Sequence, residues 1–180
     1  MMERVGPDAL KNIGTYGLKP EDMAGTELVY PALTFSGLLK IDLGGETVEL
    51  IRVAPSHTTG SILVSVPSKK LLFSGDILFT DFHPYMADGN IAGWTKTIDG
   101  MLGMDVERII PGHGPLSTKK DLADMKAYLL LFDGKARELA ADEDNDADAI
   151  VAELKKVLPK RSMAEWMIAY NVKSRYIGKK

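Results

Sequence analysis

The sequence contains no cysteine and only three histidines among its 180 residues. Without cysteine the chain forms no disulfide bond and no thiolate zinc site, so any metal must be held by histidine, aspartate or glutamate. Basic residues are not in excess, because 22 Lys and Arg stand against 25 Asp and Glu and give a net charge of −3. Nucleic acid is therefore not an expected partner, since such surfaces need a basic excess.

Long apolar runs are also absent. No stretch of the sequence approaches the roughly 20 apolar residues that a membrane-spanning helix needs, so we expect no membrane segment. The residues from Met1 to Pro7 lack the apolar core of a secretory signal, and we expect a cytoplasmic location. With 45% apolar and 26% charged residues, the chain fits a single globular domain over 1–180.

Strand-like and helix-like patterns follow one another in a definite order. Runs rich in β-branched and aromatic residues predict strands at 35–43, 47–53, 62–66, 71–73 and 106–110. Gly44 and Gly45 between the first two runs are a strong hairpin signal. Helical periodicity appears at 92–102, from about 118 to the acidic break at 141–148, and at 150–157 and 163–170. This order predicts an α/β layered fold with a core over 33–140 and a C-terminal helical extension over 141–180.

Three segments that follow strand-like runs carry residues able to bind metal. These are His57 in Pro-Ser-His-Thr-Thr-Gly-Ser, Asp76 in Phe-Ser-Gly-Asp, and His113 in Pro-Gly-His-Gly-Pro. Loops at strand ends are where α/β folds place metal ligands and catalytic groups, and imidazole with carboxylate suits zinc, iron or manganese. The two glycines beside His113 let the backbone turn sharply and bring the imidazole close to a ligand. A single loop histidine is usually a surface residue, so it is the combination that favours a site.

The stretch from Val53 to Pro115 resembles the C-terminal half of the metallo-β-lactamase superfamily. The matching motifs are His-Thr-x-Gly-Ser at 57–61, Phe-Ser-Gly-Asp at 73–76 and Ile-Pro-Gly-His-Gly-Pro at 110–115. The resemblance implies a four-layer αββα sandwich, of which this chain holds mainly the second β-sheet with its helices and a helical C-terminal tail. It therefore implies a partial version of that fold.

The same resemblance implies a metal-dependent hydrolase with two zinc ions, or iron or manganese in their place. By analogy, His57 completes the ligands of the first metal, Asp76 bridges both metals as the catalytic carboxylate, and His113 completes the second. A metal-bound hydroxide then attacks an ester, amide, thioester or phosphoester of a small-molecule substrate. The fold alone does not fix that substrate, because loops around the site set specificity.

One motif of the family is missing. The signature His-x-His-x-Asp-His cannot be present, because the histidines lie only at positions 57, 83 and 113. We expect the chain to begin after that signature, as a truncated product, a late translation start or the second part of a split gene. With two protein ligands for each metal, we expect poor metal retention and weak or absent hydrolysis by the chain alone. An uncovered sheet face then predicts a homo-oligomer or pairing with the missing N-terminal half.

Further interpretations stay open at this point. His83 and Tyr85 lie where the family places residues that line the substrate pocket, although His83 fits equally a loop histidine packed on Pro84. For the whole chain, one alternative is a non-catalytic remnant or interaction module. Another is a mononuclear iron protein with a site of two histidines and one carboxylate.

Overall fold

A computed structural model of the chain describes residues 18–27, 29–142 and 144–177. The chain divides into two units, Met1–Phe35 and Ser36–Lys180. In the first unit the described residues include a 3-10 turn at Pro20–Met23, in which proline occupies the first turn. The sequence also predicts one short helix before Gly14, and that segment lies outside the described residues.

The second unit is built on a sheet of five strands with the order β1-β2-β3-β4-β5. The strands are β1 (Leu38–Asp42), β2 (Thr47–Arg52), β3 (Ile62–Val66), β4 (Leu71–Phe79) and β5 (Arg108–His113). Strands β1 to β4 pair antiparallel with their neighbours, whereas β5 lies parallel to β4. Gly44 and Gly45 adopt positive φ angles of 78° and 109° and close the predicted hairpin between β1 and β2.

Helices follow the strands in chain order. They are α1 (Ile91–Leu102), α2 (Lys119–Ala140), α3 (Ala147–Val157) and α4 (Trp166–Arg175). Helix α1 connects the parallel strands β4 and β5, which is the usual crossover for such a pair. Thr118 caps α2 together with Asp121, and Asp146 caps α3 by accepting from the Ala149 N–H. The α/β architecture predicted from the sequence is confirmed.

The two faces of the sheet differ in how far they are covered. Leu63, Leu72 and Ile109 belong to the core shared with the helices and are at most 3% exposed. On the opposite face Ile41, Ile62 and Phe73 are 38–40% exposed. By strand register most of their neighbours on that face are also apolar, namely Leu39, Val48, Leu50, Val64, Val66 and Leu71, while Arg52 opposite Ile62 and Arg108 opposite Leu71 lie at its margin. This second face is called the open sheet face below. A partial sandwich, which lacks most of its other sheet, leaves such a face uncovered.

The predicted C-terminal extension belongs to the same core. Ile150, Leu154, Ile168 and Val172 are buried to 2% exposure or less in one cluster with the side chains of α1 and α2. Helix α4 begins three residues later than the predicted start at 163, because Ala164 has a φ of +61° that a continuous right-handed helix does not allow. None of the described helices is long and apolar enough to cross a bilayer. The cytoplasmic location stays a prediction.

Strand β4 is longer than predicted. The sequence placed its end at Phe73 and Asp76 in the following loop, but the strand continues to Phe79. It does so through an irregular segment, in which the register with β5 shifts between Phe73 and Gly75 and again between Gly75 and Phe79. Gly75 takes a φ of +50° at this point. The irregularity turns Asp76 out of the regular pleat, as bulges near active sites do.

Candidate metal centre

Asp76 lies between two imidazoles. Nε2 of His57 is 3.7 Å from Oδ2 of Asp76, and Nε2 of His113 is 3.4 Å from Oδ1. Each imidazole therefore faces its own oxygen of one carboxylate. Since metal–nitrogen and metal–oxygen bonds in such sites are about 2.0–2.2 Å long, each gap is wide enough for a cation to contact both atoms.

Glycines allow β5 to approach Asp76 this closely. A Cβ atom on Gly112 would lie 2.0 Å from Oδ1 of Asp76 and 2.8 Å from the carbonyl carbon of Gly75. On the other side of His113, Gly114 has a φ of +100°, and a Cβ there would lie 1.9 Å from the carbonyl oxygen of Thr80. Both glycines that flank His113 are thus needed for close packing, Gly112 against Asp76 and Gly114 against Thr80.

His57 is enclosed by aromatic rings. Its ring centroid lies 5.8 Å from Phe79, 5.8 Å from Tyr85 and 5.4 Å from Trp94. Its Nε2 atom is buried and has no hydrogen-bond partner among the described residues. A buried polar atom without a partner is costly, and a cation at this nitrogen removes that cost.

Burial lowers the pKa of His57 below its ordinary value, although the charge of Asp76 opposes the shift. The protonated imidazolium is disfavoured because the surrounding rings replace water. The neutral imidazole has a free lone pair, and this is the form that binds metal. Burial of His57 therefore favours the same neutral form that metal binding requires.

The loop that carries His57 is fixed to α1. Ser56 is buried, and its hydroxyl bonds the Ala54 carbonyl at 2.8 Å and the Thr97 hydroxyl at 2.9 Å. The carbonyl of Ser56 also accepts a hydrogen bond from the Asn90 N–H at 2.7 Å. These contacts hold Ser56 in place and so fix the position of the neighbouring His57 imidazole.

His113 ends β5 and has a more open position. Its ring stacks on Phe79 at 4.9 Å and on Phe82 at 4.8 Å between centroids, while its side chain stays 43% exposed. The Asp76 side chain is 38% exposed. Aromatic rings thus support the imidazole from one side, and the carboxylate remains open to solvent and to a substrate.

The donors are too few to enclose a metal. Across 18–27, 29–142 and 144–177, no group of three or more His, Asp or Glu side chains is arranged to hold an ion. His57, Asp76 and His113 lie together, but the carboxylate stands between the imidazoles. They consequently do not form the single triad of the mononuclear alternative. Instead, one imidazole nitrogen faces each oxygen of the Asp76 carboxylate.

The structure does not bring His83 to this centre. Its side chain is 4% exposed, and Nδ1 lies 2.7 Å from the hydroxyl of Tyr128 on α2. Burial is the largest cause that lowers the pKa of His83, and the nearby Arg161 guanidinium adds to it. The residue therefore packs inside the protein against Tyr128, and its contact with the substrate, expected from the sequence, stays a prediction.

Tyr85, the second pocket residue expected from the sequence, does lie beside the centre. Its ring contacts His57, and its hydroxyl donates a hydrogen bond to Oδ2 of Asp88 at 3.0 Å. Burial raises the pKa of Tyr85, and Asp88 raises it further, so the phenol stays neutral at physiological pH. Tyr85 forms a side wall of the site.

Two residues of the C-terminal helical region hold the loop that borders the centre, and the sequence reading missed both. Nη1 of Arg161 donates to the carbonyls of Phe79 and Phe82 at 2.8 and 2.9 Å. Asn171, 1% exposed, accepts from the Met86 N–H at 2.7 Å and donates to the Pro84 carbonyl at 2.8 Å. The available signal was Asn171 itself, a polar residue on the apolar stripe of α4.

A cavity of about 620 Å³ also borders the His57 loop, lined among others by Ser56, Thr58 and Arg175. Asp76 and both imidazoles lie outside its lining. The three candidate metal ligands therefore lie apart from this cavity.

Comparisons with curated proteins give partial matches. The chain is 30% identical over 98 residues to 2,4-dinitroanisole O-demethylase subunit alpha of Nocardioides sp. (strain JS1661), which covers 53% of this chain and 30% of that protein. It is 25% identical over 118 residues to metallo-beta-lactamase type 2 of Bacteroides fragilis, covering 63% and 46%. It is 28% identical over 92 residues to the acyl-coenzyme A thioesterase MBLAC2 of Homo sapiens, covering 48% and 33%. The chain spans less than half of each relative.

Solved structures share the fold. A metallo-beta-lactamase from Pontibacter korlensis superposes with a TM-score of 0.53 at 20% identity, covering 67% of this chain and 61% of that one. The stereoselective inverting sec-alkylsulfatase Pisa1 from Pseudomonas sp. superposes with a TM-score of 0.61 at 20% identity, covering 85% and 28%. The family model of the metallo-beta-lactamase superfamily matches residues 4–113, more than half of the chain. The chain belongs to the metallo-beta-lactamase superfamily, whose members are hydrolytic enzymes that bind metal ions, often zinc.

Proposed function

We propose that this chain is part of a metal-dependent hydrolase and supplies the second half of a two-metal site through His57, Asp76 and His113. The observation that supports this best is that two imidazoles face the two oxygens of one carboxylate at 3.7 and 3.4 Å. Zinc is the proposed metal, with iron or manganese as alternatives, because the donors are imidazole and carboxylate. When bound, such metals make a nucleophile from water at neutral pH and polarise the bond to be cleaved.

The residues of the chain have separate roles in this proposal. His57 offers a neutral, buried nitrogen whose position is fixed by the loop on α1. Asp76 would serve both metals, because one of its oxygens faces each imidazole. Phe79 lies against both imidazoles and keeps water away from their faces. The reaction proposed is hydrolysis of an ester, amide, thioester or phosphoester of a small molecule, and the named activities of the relatives do not narrow this choice.

We propose that the chain alone hydrolyses weakly or not at all. Each metal position has two protein ligands here, whereas catalytic zinc normally has three. The remaining ligands would come from a segment bearing His-x-His-x-Asp-His. The open sheet face offers an apolar surface on which such a segment, or a second copy of the chain, would pack.

Metal content is the direct test of this proposal. We expect purified chain to hold less than one zinc per molecule, because two protein ligands do not retain the ion against water or buffer. Addition of a fragment that bears His-x-His-x-Asp-His should raise the content towards two and start hydrolysis of ester and thioester probes. Elemental analysis and equilibrium dialysis measure the content.

Asp76→Asn is the matched control, because it keeps the shape of the side chain and removes its charge. It should abolish the gain in zinc caused by the fragment. Full zinc content and rapid turnover by the chain alone would contradict the partial site. No gain with the fragment would instead support a non-catalytic remnant or interaction module.

Self-association is a second expected property. Ile41 and Ile62 on the open sheet face are 40% and 38% exposed, and apolar patches of this kind favour association. The double variant Ile41→Thr/Ile62→Thr keeps β-branched residues in the strands and should weaken self-association about tenfold or more. Sedimentation over a range of concentrations measures it. Leu131→Gln on the exposed side of α2 is the control, and a wild-type chain that stays monomeric throughout would contradict the expectation.

A further inference from the structure

A strip of three aromatic rings extends from the metal centre onto α4. Tyr85, in contact with His57, lies 5.5 Å from the ring of Tyr170, and Tyr170 lies 6.2 Å from the ring of Trp166. Trp166 is 63% exposed and Tyr170 is 46% exposed. We call these three residues the aromatic strip. It connects the proposed reaction centre to an exposed apolar surface.

Packing of the protein core does not explain these exposed rings. Helix α4 buries Ile168, Asn171 and Val172, whereas Trp166 and Tyr170 stand at i and i+4 on another side of the same helix. An isolated exposed aromatic residue is common, but a connected row that ends at a catalytic centre is not. Contiguous exposed apolar area of this kind marks ligand-binding or interaction sites.

The strip is held in place against the centre. Asn171 bonds the backbone of Pro84 and Met86, the residues on either side of Tyr85. The Tyr85 hydroxyl is bonded to Asp88, so its ring is fixed at both ends. Glu165, next to Trp166, is paired with Lys155 and places no unbalanced charge on the surface. A ligand therefore meets a prepared surface of rings.

We propose that the aromatic strip binds an aryl group of the substrate and so directs the bond to be hydrolysed towards Asp76. This names a substrate class for the proposed function and rests on it. The Tyr85 and Tyr170 rings are inclined at 35°, and the Tyr170 and Trp166 rings at 82°, so the strip presents both faces and edges. Aromatic rings pair with such surfaces by offset stacking and edge-to-face contact, whereas an alkyl chain gains only from burial of its area.

The binding test uses metal-free chain, so that it does not depend on hydrolysis. The chain has two tryptophans, and Trp94 is fully buried with its indole N–H bonded to the Ile77 carbonyl. Titration with 1-naphthyl acetate should shift the indole NMR signal of Trp166 and leave that of Trp94 in place. Octyl acetate, a probe of similar size without a ring, should bind more weakly. Trp166→Phe assigns the two signals.

Substitution distinguishes specific contact with the aromatic rings from non-specific apolar binding. Tyr170→Leu keeps an apolar side chain but removes the ring, and should weaken binding of 1-naphthyl acetate about 2- to 10-fold without changing binding of octyl acetate. Val157→Ala, at a residue 45% exposed on α3, is the control and should change neither. Equal binding of both probes, or loss of binding in the control variant, would overturn the proposal.

The reconstituted enzyme distinguishes this proposal from the one before it. With the fragment present, Tyr170→Leu should raise KM for 1-naphthyl acetate and leave kcat unchanged, because the ring binds substrate without touching the reacting atoms. Ring-dependent binding with no hydrolysis would leave the strip supported and remove the proposed reaction. Hydrolysis whose KM does not change in Tyr170→Leu would support the proposed reaction and overturn the role of the aromatic strip.

Discussion

Replacement of Gly112 by alanine is expected to destroy the candidate metal centre. The new methyl group would lie 2.0 Å from Oδ1 of Asp76, 2.8 Å from the Gly75 carbonyl carbon and 2.9 Å from the Asp76 nitrogen. Two of these three neighbours are backbone atoms, so rotation of the carboxylate alone does not relieve the overlap. Either Asp76 leaves its place between the imidazoles or β5 separates from β4, and in both cases the shared carboxylate is displaced.

The effect should be measured as zinc affinity of the chain with its complementing fragment. We expect a loss of at least about 100-fold, the upper end of what the loss of an outer-shell contact causes, because here a proposed ligand itself moves. Gly134→Ala on α2 is the matched control, since nothing lies within 4 Å of a Cβ at that position. Alanine in a helix interior is favourable by up to about 1 kcal/mol relative to glycine, so the control should be neutral or stabilising.

Global unfolding of Gly112→Ala is distinguished by a double variant. Asp76→Ala in the Gly112→Ala background removes the side-chain overlap and should recover part of the lost thermal stability, while leaving the zinc affinity low. A Gly112→Ala chain with wild-type affinity and stability would show that β5 adjusts without disturbing Asp76. The close contact of Gly112 with Asp76 would then not be required for the site.

The three motif residues His57, Asp76 and His113 lie close together, although the motifs predicted the local backbone less well. Gly75 and Asp76 looked like a turn that ends a strand, since Gly-Asp pairs are common turn residues. The apolar run Ile77-Leu78-Phe79 that follows was the sign of continuation, and all three side chains are at most 2% exposed in β4. A bulge accommodates turn-like residues inside a strand, and sequence alone does not distinguish a bulge from a turn.

The C-terminal contacts were less predictable for a different reason. Helices α3 and α4 were expected from their periodicity, but the partner of a helix face is set by tertiary packing. Arg161 and Asn171 bond backbone groups about 80 or more positions earlier in the chain. A polar residue on an apolar stripe indicates a buried partner without saying which one. His83 is similar, because its sequence context did not reveal Tyr128 as its neighbour.

Asn171→Asp is expected to cause a large loss of stability at neutral pH. The carboxylate keeps the acceptor for the Met86 N–H, but it cannot donate to the Pro84 carbonyl and places a charge at a position 1% exposed. Leaving a buried carbonyl unpaired and burying an unpaired charge should reduce the free energy of unfolding by about 2–5 kcal/mol. Urea unfolding at pH 7.5 measures it.

The pH dependence of this loss identifies its cause. Burial favours the neutral carboxylic acid in the folded chain, so the pKa of the introduced group is raised above its value of about 4 in the unfolded chain. The unfolded state then binds fewer protons than the folded state, and the deficit grows as the pH rises above about 4. At acidic pH the protonated group can donate to the Pro84 carbonyl, and the difference from wild type should shrink.

Asn90→Asp provides the matched substitution elsewhere in the chain. Asn90 caps α1 through its side-chain oxygen, which accepts from the Gly93 N–H at 2.8 Å, and aspartate performs this role equally well. That variant should unfold within about 0.5 kcal/mol of wild type. If Asn171→Asp behaves like Asn90→Asp, the bonds from α4 do not hold the Tyr85 loop. A large, pH-dependent deficit at Asn171 alone means that α4 fixes one wall of the candidate metal centre, which the three sequence motifs by themselves do not encode.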